Sequence, residues 1–196
     1  MRRSKIDTLG EKNSSILVIG CFHGDEPQGK YLIEEYLKLK SDTNICFIPC
    51  LNKYGYEHNT RVNSNGVDLN RNFPTQNWVL SEKDDYYGGK KPASEQETRF
   101  VIETIEKIKP KFILTLHAPY KVVNFDGPAS DIAQKISDIT GYPVEASIGY
   151  PTPGSFGTWA GVERNIPTIT LELDEECDAD ELKEPVFKIF ELLENY

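Results

Sequence analysis

Four residues have the types and placement for metal-assisted hydrolysis. His23 and Glu26 stand three apart in "HGDE", just where the apolar run "SILVIGCF" (15–22) ends; His117 closes a second run, "KFILTLHA" (111–118), and Glu172 lies near the end of a third, "IPTITLEL" (166–173). Two imidazoles and a carboxylate make a zinc-ligand set that leaves a coordination position open for water. A further glutamate outside that set can act as general base on the water. An isolated H-x-x-E pair is common by chance, and a lone histidine at a strand end is usually a satisfied core residue. The weight comes from coincidence: the chain has three histidines and two of them end apolar runs. The third, His58, falls in a polar stretch and is read as solvated surface. Thr115 and Thr170, each two positions before the polar residue of its strand, share its face. The pattern predicts His23, Glu26 and His117 as ligands of Zn2+, with Glu172 as the base.

The segment "TRVNSNGVDLNRNFP" (60–74) adds Arg61, Asn70 and Arg71. Alone it could be a polar surface loop. Val67, Leu69 and Phe73, however, would anchor the neighbouring Asn and Arg side chains rigidly. A guanidinium fork recognises a carboxylate bidentately and an asparagine supplies another donor, so the segment predicts a pocket for a substrate carboxylate.

These residues need a scaffold that brings strand ends together. Residues 15–22 and 44–51 read as buried strands, rich in β-branched residues and bounded by turn chemistry. Between them Pro27 suits the first turn of a helix running through "QGKYLIEEYLKLK". Residues 52–93 form a long polar stretch, uncommon without a function. Ser94 and Glu97 read as a capping box for a helix ending before Pro110. A strand (111–118), a helix "DIAQKISDIT" closed by Gly141, a strand in "VEASIGY" (144–150), a strand (166–173) and a helix (180–195) follow. The alternation predicts an α/β fold with a mixed, mostly parallel sheet and helices on both faces, in one domain spanning 1–196. In such sheets, sites form beyond the carboxyl ends of strands.

The formal net charge of -9 disfavours nucleic acid as a partner. No apolar run is long enough to span a bilayer, so no membrane partner is expected. "MRRSKIDTLG" lacks the apolar core of a secretory signal, which predicts a cytoplasmic protein with reduced thiols. Cys46 and Cys50 then read as buried apolar residues rather than a metal pair.

The motifs "HGDE" (23–26), "RVNSNGVDLNRNFP" (61–74), "SEQET" (94–98), "LHAP" (116–119), "GYPTPGSFGTW" (149–159) and "ITLEL" (169–173) together resemble the zinc carboxypeptidases, and most closely their bacterial murein peptide amidase branch. The resemblance implies the zinc carboxypeptidase fold. It matches His23, Glu26 and His117 to the zinc ligands and Glu172 to the glutamate that activates water. Arg71 with Asn70 matches the clamp on the substrate's carboxylate, and Arg61 the group that polarises the scissile carbonyl. Tyr150 lies near a tyrosine that closes over substrate. The implied substrate is a small peptide with a free carboxylate, cleaved between γ-D-glutamate and diaminopimelate. An N-acyl amino acid deacylase of the aspartoacylase type, another carboxypeptidase and a non-catalytic binding domain are the rivals. Ala118 departs from the aspartate expected in the murein branch. Either another carboxylate then holds the ammonium of diaminopimelate, with Asp174 and Glu175 the candidates on sequence, or the substrate differs.

Overall fold

The computed structural model describes residues 6–11, 14–146 and 151–196. Its strands are β1 (Leu9–Gly10), β2 (Ile16–Gly20), β3 (Ile45–Ile48), β4 (Phe112–His117), β5 (Val122–Asp126), β6 (Val144–Glu145) and β7 (Thr168–Glu172). Its α-helices are α1 (Gln28–Leu39), α2 (Lys53–His58), α3 (Gln96–Ile108), α4 (Ser130–Thr140) and α5 (Lys183–Glu194). One sheet runs in the order β1-β3-β2-β4-β7-β5-β6. The β2–β3, β2–β4, β4–β7 and β5–β6 pairs are parallel, and β1–β3 and β5–β7 antiparallel. The expected mixed, mostly parallel sheet is present.

Strand alternation divides the side chains between two faces. Ile16 and Val18 of β2, Phe112, Leu114 and Leu116 of β4, and Ile169 and Leu171 of β7 join Leu32 and Ile33 of α1, Ile132 and Ile136 of α4, and Val186, Ile189 and Phe190 of α5 in one apolar cluster. Leu17 and Ile19 of β2 and Ile113 of β4 point the other way, onto Val101 and Ile105 of α3 and onto Leu69, Phe73, Phe156 and Trp159. Thr115 and His117, and Thr170 and Glu172, belong to this second face. The register pairs Thr115 with Thr170 and His117 with Glu172, so the two threonines meet, Oγ1 to Oγ1, at 3.2 Å.

Several expectations need correction. The sequence reading left no strand between 118 and the next helix, yet β5 lies there and pairs antiparallel with β7; the polar Asn124 and Asp126 broke its apolar pattern. The short edge strand β1 also went unread. "VEASIGY" contributes only Val144–Glu145 to the sheet, and 147–150 lie outside the described residues. The polar stretch 52–93 contains α2, capped by the Asn52 side chain, which accepts from Gly55 N. The Ser94–Glu97 capping box does not form: α3 begins at Gln96, with Glu95 as N-cap and no side-chain cap bond. Ser94 Oγ instead donates to the Glu95 carboxylate at 2.6 Å. Among the described residues, no helix is long and apolar enough to cross a membrane.

Candidate active site

The turn after β2 presents His23 and Glu26. It lies so close to α2 that a Cβ on Gly24 would fall 1.9 Å from the Gly55 carbonyl carbon, so the glycine of "HGDE" is a packing requirement. β4 supplies His117 two strand positions beyond Thr115. The potential ligand atoms of His23, Glu26 and His117 lie within 4.8 Å of one another, and all three residues are buried. His23 Nδ1 faces Glu26 Oε1 at 2.6 Å and His117 Nδ1 faces Glu26 Oε2 at 2.9 Å. Three donors from two separate strand ends thus converge, as the sequence predicts.

Asp68, which the sequence reading passed over, explains how His23 is oriented. It is wholly buried. Its Oδ1 lies 3.1 Å from His23 Nε2 and accepts from Asn70 N, while Oδ2 accepts from Arg61 Nε and Nη2 at 3.1 and 2.9 Å. Its carboxyl is held well below the usual range: burial opposes ionisation, but His23 and Arg61 outweigh it. With Nε2–H donated to Asp68, Nδ1 is the lone-pair nitrogen of a neutral imidazole, the arrangement carboxylates impose on metal-ligating histidines. That lone pair then meets the Glu26 carboxylate, two acceptors in contact. Only a cation between them relieves the clash. Without a metal a proton must serve: burial pushes His23 down, yet Glu26 and Asp68 together lift it to about 9. The donor set therefore fits a divalent cation. The readable signal for Asp68 was an acid set between the anchors Val67 and Leu69.

Glu172 stands opposite His117 across the β4–β7 pair. It is buried, and its Oε2 has no hydrogen-bond partner among the described residues. Burial, then the neighbouring Glu26 charge, pushes its carboxyl up to about 8. A carboxylate whose proton affinity approaches neutrality is suited to take up and return a proton.

The cavity in front of these groups has a volume of about 370 Å³ and reaches Arg61, Asn70 and Arg71. Arg71 is buried, and among the described residues it donates only from Nη1, to Asn70 O at 2.8 Å. Asn70 Oδ1 accepts from Phe156 N at 2.8 Å, and its amide N–H groups make no hydrogen bond among the described residues. Unspent donors on a fixed guanidinium and a fixed amide are what an anionic ligand requires. Arg61 Nη1 lies 3.3 Å from His23 Nδ1, so this arginine borders the cation site while Arg71 stands apart from it. The exposed Tyr86 ring, also unforeseen, lies over both guanidiniums, 5.0 Å from that of Arg61 and 5.8 Å from that of Arg71. Tyr150 lies outside the described residues. His58 is exposed, as expected, stacked on Tyr54. Cys46 and Cys50 are buried free thiols.

Residues 4–131 match the family model described as zinc carboxypeptidase. The chain belongs to the zinc carboxypeptidase family. It is accordingly a metallopeptidase, and the family is zinc-dependent in general. This zinc carboxypeptidase is 37% identical over 184 residues to murein peptide amidase A of Vibrio campbellii, an alignment covering 83% of this chain and 71% of the relative. It is 32% identical over 170 residues to murein peptide amidase A of Escherichia coli K12, covering 80% and 69%. The crystal structure of murein-tripeptide amidase MpaA from Escherichia coli O157 superposes with a TM-score of 0.83 at 30% identity, covering 94% of this chain and 83% of that one. Thrombin activatable fibrinolysis inhibitor shares the fold, with a TM-score of 0.70 at 17% identity, covering 100% of this chain and 64% of that one.

The far end of the cavity holds a further acidic residue. Asp126, the last residue of β5, lines it and has no hydrogen-bond or charged partner among the described residues. Burial alone pushes its carboxyl upward. A Cβ on Gly157 would lie 2.1 Å from Asp126 Oδ2, so the glycine makes room for the carboxylate. The two acids favoured on sequence are placed differently. Asp174 is paired with Lys121 at 3.2 Å, and Glu175 is exposed at the cavity mouth.

Proposed function

We propose that the protein is a zinc-dependent amidase of murein peptides that cleaves the bond between γ-D-glutamate and diaminopimelate. The observation that carries the reading is the convergence of His23, Glu26 and His117 beside the partnerless Oε2 of Glu172. The murein peptide amidases among its relatives narrow the substrate.

His23, Glu26 and His117 would hold the zinc, with Asp68 fixing His23 through Nε2. When bound there, zinc supplies Lewis-acid polarisation of the amide carbonyl and lowers the pKa of water. Glu172 takes the water's proton at Oε2 and returns it to the departing amine nitrogen. Arg61, held rigid by two hydrogen bonds to Asp68, directs its guanidinium at the charge that develops on the carbonyl oxygen. Arg71 and Asn70 take the carboxylate beside the scissile bond with the donors they do not spend internally. Tyr86 covers both arginines and restricts water around them.

At the deep end, Asp126 pairs with the ammonium of the diaminopimelate side chain. The register sets Asp126 opposite Thr168, four residues from Glu172 along β7, about 13 Å at strand rise. The intervening Asn124 and Thr170 also line the cavity, and an extended amino-bearing side chain fits the interval.

Mass spectrometry of products from L-Ala-γ-D-Glu-diaminopimelate and the zinc-loaded protein tests the reading. Release of free diaminopimelate supports it. An inert tripeptide, with turnover of simple N-acyl amino acids, overturns it in favour of a deacylase.

A further inference from the structure

The "SEQET" motif, relieved of its expected capping role, sits against the segment that carries both arginines. We propose that Glu95 is the positioning residue of the site: its carboxylate ties together the two ends of the segment 61–72 and so sets Arg61, Asp68, Asn70 and Arg71 in register. The inference takes the roles of those arginines from the function proposed above.

The connections can be followed atom by atom. Near one end, Asn63 closes a tight turn, its Oδ1 accepting from Asn65 N and Val67 N at 3.0 and 3.1 Å. Its Nδ2 donates to Glu95 Oε2 at 2.8 Å, and Asn65 Nδ2 donates to the same oxygen at 2.6 Å. At the other end, Asn72 Oδ1 accepts from Glu95 N at 3.1 Å, while its Nδ2 donates to Gly88 O at 2.7 Å and to Ser94 Oγ at 3.0 Å. Ser94 Oγ completes the link to Glu95 Oε1. Glu95, Asn63 and Asn72 are all buried.

Every group that bonds the Glu95 carboxylate is a donor from a neutral side chain. An ionised carboxylate accepts from all three donors at its two oxygens; an amide would either turn N–H against the N–H groups of Asn63 and Asn65 or force the Ser94 hydroxyl to accept instead of donate, and in both cases it loses the carboxylate's charge. Asn63 is two residues from Arg61, Val67 precedes Asp68, and Asn72 follows Arg71. Slack in these turns is therefore passed directly to the groups that meet substrate, where misplacement by about 1 Å can cost about a hundredfold in rate.

The test compares Glu95→Gln with wild type and with Glu106→Gln, an exposed change on α3, each loaded with zinc and assayed well below its own Tm. Glu95→Gln should keep its metal, lose about tenfold or more in kcat/KM with kcat falling and KM rising together, and show about tenfold faster hydrogen exchange at Arg61 Nε–H, which Asp68 protects in wild type. Glu106→Gln should match wild type. A Glu95→Gln protein with lowered Tm but unchanged kcat, KM and Arg61 exchange overturns the proposal and leaves Glu95 a purely structural residue. If Glu95→Gln does not fold, Asn65→Asp decides in its place: it sets a second carboxylate against Glu95 from an exposed position, and unchanged Arg61 exchange there overturns the proposal. The exchange readout needs no substrate. A wild type inert toward the tripeptide therefore counts against the proposed function alone, and the exchange comparison still decides the role of Glu95.

Discussion

The two faces of the sheet are built from the same strands and do opposite things. Toward α1, α4 and α5, alternate residues of β2, β4 and β7 are aliphatic or aromatic and interlock without polar atoms. Toward α3 and the segment 60–74, the next residues along β4 and β7 are Thr115, His117, Thr170 and Glu172. Each face carries an apolar cluster, but the second also buries Thr115, His117 and Glu172 toward the strand ends, and a single strand such as β4 serves both. The lesson is that a strand can bury polar groups at its carboxyl end while the residues before them stay packed on both faces.

The sharpest way to break the comparison is on the polar face. Glu172→Gln should reduce kcat by about 10²–10⁴-fold, the usual contribution of a positioned proton-transfer group, with melting temperature and metal content barely changed. Steady-state kinetics with metal analysis checks this, and near wild-type kcat would place the base elsewhere. The converse change is Leu114→Ala, next to Thr115 but facing the helices. It should cost about 2–5 kcal/mol in chemical denaturation while kcat per folded molecule stays unchanged.

The reading of these faces was only partly available in the sequence. Continuous apolar runs marked β2, β3, β4 and β7 because burial on both sides leaves no polar alternation to confuse. The chemistry was legible where a polar residue interrupts such a run, as at His117 and Glu172. β5 was not legible: Asn124 and Asp126 face the cavity, so its pattern looks like a loop. Asp68 was legible only as an acid between two apolar anchors, and its role was not, since that depends on His23 arriving from 45 positions away. Ser94 and Glu97 misled because the S-x-x-E spacing fits a local cap, whereas their side chains accept from Asn72 and Asn63 of a distant segment.

Smaller effects sharpen the contrast within the cavity. Arg71→Ala should cost about 2–5 kcal/mol in kcat/KM, the scale for leaving a carboxylate without its charged partner. The loss should vanish with substrates whose carboxylate is amidated; equal kinetics of wild type on both substrates would contradict the role. Asp126→Asn should cost about 1–3 kcal/mol in discrimination, because the charged partner of the ammonium is lost. It should narrow the preference for diaminopimelate over an analogue lacking the distal amine, measured as a ratio of kcat/KM values. An unchanged ratio removes Asp126 from substrate recognition.

The smallest effect concerns pH. Burial works against ionisation of Glu95, but the Ser94, Asn63 and Asn65 donors outweigh it and hold its carboxyl below the usual range. A depressed folded-state pKa means that its stabilisation is complete above the unfolded carboxyl value of about 4.3 and fades as pH falls through the lower folded value. The stability gap between wild type and Glu95→Gln should therefore be constant near neutrality and shrink in acid. Denaturation midpoints across that range decide it, and a gap that widens in acid would refute the assignment.

β5 carries a broader implication. It is joined to the rest of the sheet through β7 on one side and, among the described residues, pairs on the other with the two-residue β6. The proposed zinc ligands and proton carrier reside in the turn after β2, on β4 and on β7, whereas Asp126 resides on this peripheral strand. On the function proposed above, reaction and selectivity are thus carried on separate pieces of chain. A descendant could exchange the tip of β5 for one suited to a different guest and leave the hydrolytic apparatus intact, which makes this strand the natural place to graft a new preference.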